Sequence, residues 1–111
     1  MKRKRNLDLY LDDIQESIEK IEEYTKGITL EKFLKNTQIQ DAVLRRLEII
    51  GEAVRNLPDD FKKKHSEIPW NMISGMRNVV AHEYFGVNVK RVWKTIEKDI
   101  PELKNKIKNL N

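Results

Sequence analysis

The stretch Ile39-Gln40-Asp41-Ala42-Val43-Leu44-Arg45-Arg46-Leu47-Glu48-Ile49-Ile50-Gly51-Glu52-Ala53-Val54 decides the fold class. Ile39, Val43, Leu47, Ile50, Val54 and then Leu57 recur every three or four residues, which places them on one face of an α-helix and leaves the charges on the other. The pattern predicts a helix over about 38–57. Pro58 stops it, because proline lacks an amide hydrogen and its ring disfavours the helical conformation in the preceding residue. Gly51 costs such a helix about 1 kcal/mol relative to alanine. It either marks a close helix crossing or is simply tolerated.

The same periodicity extends in both directions. Leu7, Leu11, Ile14, Ile18, Ile21 and Tyr24 predict a first helix over about 7–25, and Gly27 stands where a left-handed cap would fall. A short turn is expected around Leu30 to Leu34. Residues 58–68 read as an irregular connection with one turn near Phe61. Pro69 suits the first position of a third helix, whose stripe is Trp70, Ile73, Met76, Val80 and Tyr84. Phe85-Gly86-Val87 ends it. Asn88 is a suitable N-cap for a fourth helix carrying Val92, Trp93, Ile96, Ile100, Leu103 and Ile107, which Pro101 either kinks or restarts. The expectation is an all-α, antiparallel helical bundle of four to five helices, a single domain over 1–111 with residues 1–5 as a basic flexible tail.

Composition agrees. Charged residues make up 36% of the 111 residues and hydrophobic ones 39%, a balance that suits amphipathic helices better than a wide sheet. Without cysteine the chain has neither disulfides nor thiolate metal ligands, and nothing suggests an oxidising compartment. Met1-Lys2-Arg3-Lys4-Arg5 is not followed by the apolar stretch of a signal peptide, and no apolar run approaches the length of a membrane span. A cytoplasmic protein is expected. The net charge of +4 is unevenly spread. Residues 1–5 carry four cations, and residues 88–111 hold seven Lys and Arg against three Asp and Glu, so the stretch between the basic ends is acidic. Basic ends on an acidic body suit a phosphate backbone, although exposed, solvated termini are the plainer reading.

Two histidines are present. His65 lies in the charged connector Lys62-Lys63-Lys64-His65-Ser66 and is read as structural. His82 falls in Arg77-Asn78-Val79-Val80-Ala81-His82-Glu83-Tyr84. At about 100° per residue, Arg77 and Tyr84 are about 20° apart on one helical face, while His82 is about 140° from Arg77. To bring them together, the helix must loosen near Ala81 or His82, or a second chain must complete the face. Arginine offers a fixed fork of donors to a phosphate, histidine a proton carrier near neutral pH, tyrosine a hydroxyl and Asn78 an adaptable amide. These groups suffice for metal-free cleavage of RNA, whose own 2′-hydroxyl is the nucleophile, although on spacing alone a surface ion pair and two ordinary amphipathic side chains are the plainer reading. Two distant histidines and no cysteine do not make a zinc site, so neither metal nor cofactor is expected. Glu52 is within reach of such a cleft from the second helix, with an exposed helix glutamate the plainer reading; Glu83 is read as solvated, and Trp70 and Trp93 as core residues rather than base-stacking platforms.

Arg77, four residues, His82, one residue, Tyr84 resembles the R-x4-6-H signature of the HEPN superfamily, and more closely the R-x4-H-x-Y form of HepT toxins. Asn78 after the arginine fits the same pattern. Asp41 to Val54 is similar to that family's second helix, and Ile68-Pro69-Trp70-Asn71-Met72-Ile73-Ser74-Gly75-Met76-Arg77-Asn78 to the entry into its motif helix. The resemblance implies a dimerising helical bundle with two motifs in one cleft. It implies a metal-independent endoribonuclease in which Arg77 and His82 are catalytic and Asn78 and Tyr84 support them. It also implies an MntA-type minimal nucleotidyltransferase antitoxin that silences the toxin by transferring AMP to Tyr84, as in a type VII-like toxin–antitoxin system. A non-catalytic HEPN module that binds nucleotides or partners, and a structural helical dimer, are the competing readings.

Overall fold

The computed structural model describes the backbone of residues 2–75 and 88–110, and the side chains within those ranges from Leu7 onward. Every regular element among the described residues is helical. In chain order these are α1 (Lys2–Thr25), α2 (Leu30–Lys35), α3 (Thr37–Asn56), α4 (Asp59–Lys64), α5 (Trp70–Ser74), α6 (Val89–Lys94), a π-helical segment (Thr95–Asp99) and α7 (Ile100–Lys108). The last three run on as one rod. The architecture is therefore the expected all-α bundle, with three long rods and three short connecting helices among the described residues.

The apolar stripes read from the sequence form the core. Ile14, Ile18 and Ile21 of α1 face Val43, Leu47 and Ile50 of α3, and all six are almost fully buried. Val92, Ile96, Ile100, Leu103 and Ile107 close the core from the third rod. Tyr10 and Asp13 line one cleft with Glu48, Glu52 and Asn56, so the N-terminal half of α1 faces the C-terminal half of α3. Lys104 binds Glu22 at 3.0 Å while Lys108 lies beside Gln15 and Ile18, so α7 also runs antiparallel to α1. Gly51 is buried on α3.

The punctuation follows local chemistry. Gly27 has φ +72°, the left-handed cap expected after α1. Thr29 and Asn36 cap α2 and α3, accepting from the amides of Lys32 and Ile39 at 3.2 and 3.0 Å. The Gln40 amide donates back to the carbonyl of Phe33 at 2.8 Å, which locks α2 onto the first turn of α3. Leu57 is extended with ψ 141° ahead of Pro58, as a residue before proline prefers.

Four boundaries differ from the sequence expectation. The helix expected from residue 7 begins at Lys2, because an apolar stripe marks only the packed part of a helix and Lys and Arg extend it readily. Within the 58–68 connection the single turn expected near Phe61 is a helix, α4. Asp59 and Asp60 in its first turn and Lys62 to Lys64 in its last complement the helix dipole. Pro69 precedes the third helix as its N-cap rather than opening it.

The fourth difference is the π segment. A straight α-helix would turn the face by about 80° between Val92 and Ile100, eight residues apart. The Ile100 amide instead donates to the carbonyl of Thr95, five residues back, so the rod takes up one extra residue. The net turn falls to about −20°, and Val92, Ile96 and Ile100 stay on one buried face. The widening also falls where Pro101 has no amide to give and would press on the carbonyl four residues earlier. Pro101 then sits in the first turn of α7.

Candidate functional site

The residues in which the sequence places the chemistry, Arg77, Asn78, His82, Glu83 and Tyr84, lie outside the described residues. What the structure describes is the frame at either end of that segment. At the entry stands α5, packed against α3 through Ile73, which is 3% exposed. Trp70 opens it. The indole Nε1 donates to the carbonyls of Lys62 at 3.1 Å and His65 at 3.0 Å, and the ring packs against Phe61 with centroids 6.0 Å apart. These carbonyls belong to the end of α4, where a helix leaves acceptors without intrahelical partners. Trp70 is thus a core residue, as expected, and its polar edge also ties the entry helix to α4. The periodicity that marks a buried tryptophan carries no information about that second role.

His65 takes the structural part the sequence assigns to it. Its ring lies 4.7 Å from that of Phe61, and its Nδ1 is 3.9 Å from a Glu67 carboxylate oxygen. Glu52 lies on the exposed side of α3 and lines the shallow cleft between α1 and α3 with Asp13, Arg45 and Glu48. Arg45 is engaged there by Glu48 at 2.6 Å, so the cleft is acidic in character.

At the exit, Asn88 caps α6 by accepting from the Arg91 amide at 3.2 Å. Val92 is buried, and the ring of Trp93 packs 5.1 Å from that of Phe33, so this end is fixed to α2. Trp93, like Trp70, therefore belongs to the core side of its helix. Residues 76–87 join these two anchored ends. Among the described residues no group of three or more His, Cys, Asp or Glu is arranged to hold a metal ion. Nor is any described helix long and apolar enough to cross a membrane.

Comparison with known proteins places the chain. Residues 14–110 match the family described as "Ribonuclease HepT-like", a span that includes every motif position. A protein of Thermococcus cleftensis named "Probable ribonuclease HepT" is 52% identical over 107 residues, covering 96% of this chain and 97% of its own. A candidate RNase of Caldanaerobacter subterraneus is 50% identical, covering 91% of this chain and 90% of its own. Another from Methanocaldococcus jannaschii is 40% identical, covering 94% and 95%. No solved structure matches at a significant level. With one family spanning nearly the whole helical bundle and relatives identical at up to half of all positions, this chain belongs to the HepT-like ribonuclease family.

Proposed function

We propose that the protein is a metal-independent endoribonuclease, the toxin of a toxin–antitoxin pair, acting in the cytoplasm on RNA. The observation that carries this reading is the family match over residues 14–110, together with Arg77, Asn78, His82 and Tyr84 standing in the order and spacing of the R-x4-H-x-Y motif.

The chemistry follows from what those side chains supply. Neutral His82 takes the proton of a 2′-hydroxyl. The 2′-oxygen attacks the adjacent phosphorus, the bond to the 5′-oxygen breaks, and that oxygen leaves with a proton. The products are a 2′,3′-cyclic phosphate and a 5′-hydroxyl. Arg77 holds the non-bridging oxygens as charge builds on them, Asn78 orients the phosphate or His82, and Tyr84 positions the substrate. The reaction needs a base for the attack and an acid for the leaving group. A homodimer that presents two His82 and two Arg77 side chains in one cleft supplies both. Glu52 is a candidate supporting residue from the acidic face of α3.

Silencing follows from the same side-chain chemistry. An MntA-type nucleotidyltransferase partner transfers AMP to the Tyr84 hydroxyl, adding bulk and negative charge where RNA phosphates must enter. The adduct phosphate competes for Arg77.

The test is RNA cleavage in excess EDTA by the wild type and by His82→Ala, after intact-mass measurement shows both free of added AMP. Cleavage by the wild type, lost in the variant, with cyclic-phosphate ends, is expected. An unmodified, folded wild type that cuts no class of RNA would instead support a non-catalytic binding module.

A further inference from the structure

The third rod carries a row of cations that the proposed chemistry does not use. Lys90, Lys94 and Lys98 are exposed, four residues apart. The π segment, which includes Lys98, reduces their drift around the rod below the roughly 80° of an unbroken α-helix. Successive members stand about 6 Å apart along the axis. None forms an ion pair or hydrogen bond among the described residues, in contrast to Lys104, which is held by Glu22. Within α6 three of six residues are basic and none is acidic; acids enter only with Glu97 and Asp99.

The placement also runs against stability. The first turn of α6 holds Lys90 and Arg91 and no acid, although the helix dipole favours carboxylates there. A local rule broken without a packing gain points to function. The row opens soon after the motif, and six residues of chain cannot separate Lys90 from Tyr84 by more than about 22 Å.

We infer that Lys90, Lys94 and Lys98 form a phosphate track for single-stranded RNA flanking the scissile bond. A line of separated point charges suits a polyanion rather than one phosphate group. The inference rests on the reading that the substrate is RNA, and it makes the three lysines positioning residues, not catalytic ones.

Binding is measured by fluorescence anisotropy with a labelled single-stranded RNA oligonucleotide, in a His82→Ala background so that nothing is cut. Lys90→Glu/Lys94→Glu is expected to weaken binding tenfold or more and to lower the slope of log affinity against log salt by about 1.4, for two phosphates released. Folding is not at issue, because a glutamate at residue 90 suits the dipole and the melting temperature should hold or rise. Lys106→Glu/Lys108→Glu makes the same charge change at least about 18 Å further along the rod, beyond the screening length of about 8 Å, and should leave affinity and slope unchanged. In the active protein, the Lys90/Lys94 variant should raise KM for a long oligonucleotide while leaving cleavage of a dinucleotide untouched.

An unchanged salt slope in the Lys90/Lys94 variant overturns the track, as does an equal loss in the Lys106/Lys108 variant, which would make the effect one of bulk charge. Competition by polyglutamate as strong as by RNA of equal charge also overturns it, in favour of an acidic protein surface. A protein that cuts RNA with KM unaltered by the change sinks the track and leaves the ribonuclease standing. One that binds RNA through Lys90 and Lys94 yet never cuts it does the reverse.

Discussion

The indole nitrogen of Trp70 lies 3.0 Å from the carbonyl oxygen of His65, so the first residue of α5 closes the open end of α4. The His65 carbonyl also accepts from the Ile68 amide, whereas the Lys62 carbonyl at 3.1 Å depends on Trp70 as a helix-end acceptor. Trp70→Phe keeps an aromatic ring against Phe61 but removes the donor. A buried carbonyl left short of a partner costs about 1–3 kcal/mol. We expect the unfolding free energy to fall by that amount, read as a lower urea midpoint. Ribonuclease activity should fall further than the lost stability explains, since α5 leads into Arg77. An unchanged midpoint would show that water replaces the indole without cost.

Gly27 offers a cleaner backbone test. Its φ of +72° is left-handed, and a Cβ there would meet nothing within 4 Å. Any penalty for Gly27→Ala is therefore conformational, about 1–2 kcal/mol, with Gly27→Asn costing less because asparagine tolerates the region. Thermal unfolding of the pair separates the two. Equal stability of all three proteins would mean the turn after α1 relaxes to another conformation.

Ser17 is fully buried on α1, and its hydroxyl has no hydrogen-bond partner among the described residues. A buried unpaired hydroxyl carries a desolvation cost with no bond to offset it. Ser17→Ala should therefore raise the unfolding free energy by up to about 1 kcal/mol, measured by chemical denaturation. A clear loss would mean the hydroxyl is bonded in solution.

The bundle was legible because its long helices bury regular stripes: Ile14, Ile18 and Ile21, or Val43, Leu47 and Ile50, announce both element and face. Where apolar spacing is sparse it misleads. α4 has Phe61 alone, and its signal is electrical, acids at residues 59 and 60 followed by lysines at residues 62 to 64. The π segment was hidden for a different reason. Val92, Ile96 and Ile100 at strict four-residue spacing fit an α-helix in a short window, and the 80° drift shows only when they must share one buried face. The candidate site was legible as chemistry rather than geometry. The residue types from Arg77 to Tyr84 name a reaction, while helical spacing alone leaves His82 about 140° from Arg77.

Two of the interactions at the end of α7 differ greatly in worth. Lys104 and Glu22 are 3.0 Å apart but each is more than two-fifths exposed, where ion pairs contribute about 0–1 kcal/mol. Ile107 is 2% exposed in the core, and truncating such a side chain costs about 2–5 kcal/mol. Ile107→Ala should therefore destabilise the protein severalfold more than Glu22→Ala. Near-equal losses in denaturant titration would mean that the last turn of α7 frays and that the ion pair, not the core, secures it.

Tyr84 divides catalysis from its control. In the proposed mechanism its hydroxyl positions substrate but neither takes nor gives the transferred proton. Tyr84→Phe should then retain much of the cleavage in EDTA, whereas His82→Ala abolishes it. The same hydroxyl is the proposed acceptor of AMP, and phenylalanine has no oxygen to carry it. Incubated with the nucleotidyltransferase and ATP, the wild type should gain the mass of one or more AMP groups and lose activity, while Tyr84→Phe gains none and stays active. AMP addition to Tyr84→Phe would move the acceptor to another side chain. Loss of cleavage by Tyr84→Phe alone would instead give the hydroxyl a part in the reaction itself, and silencing would then follow simply from consuming it.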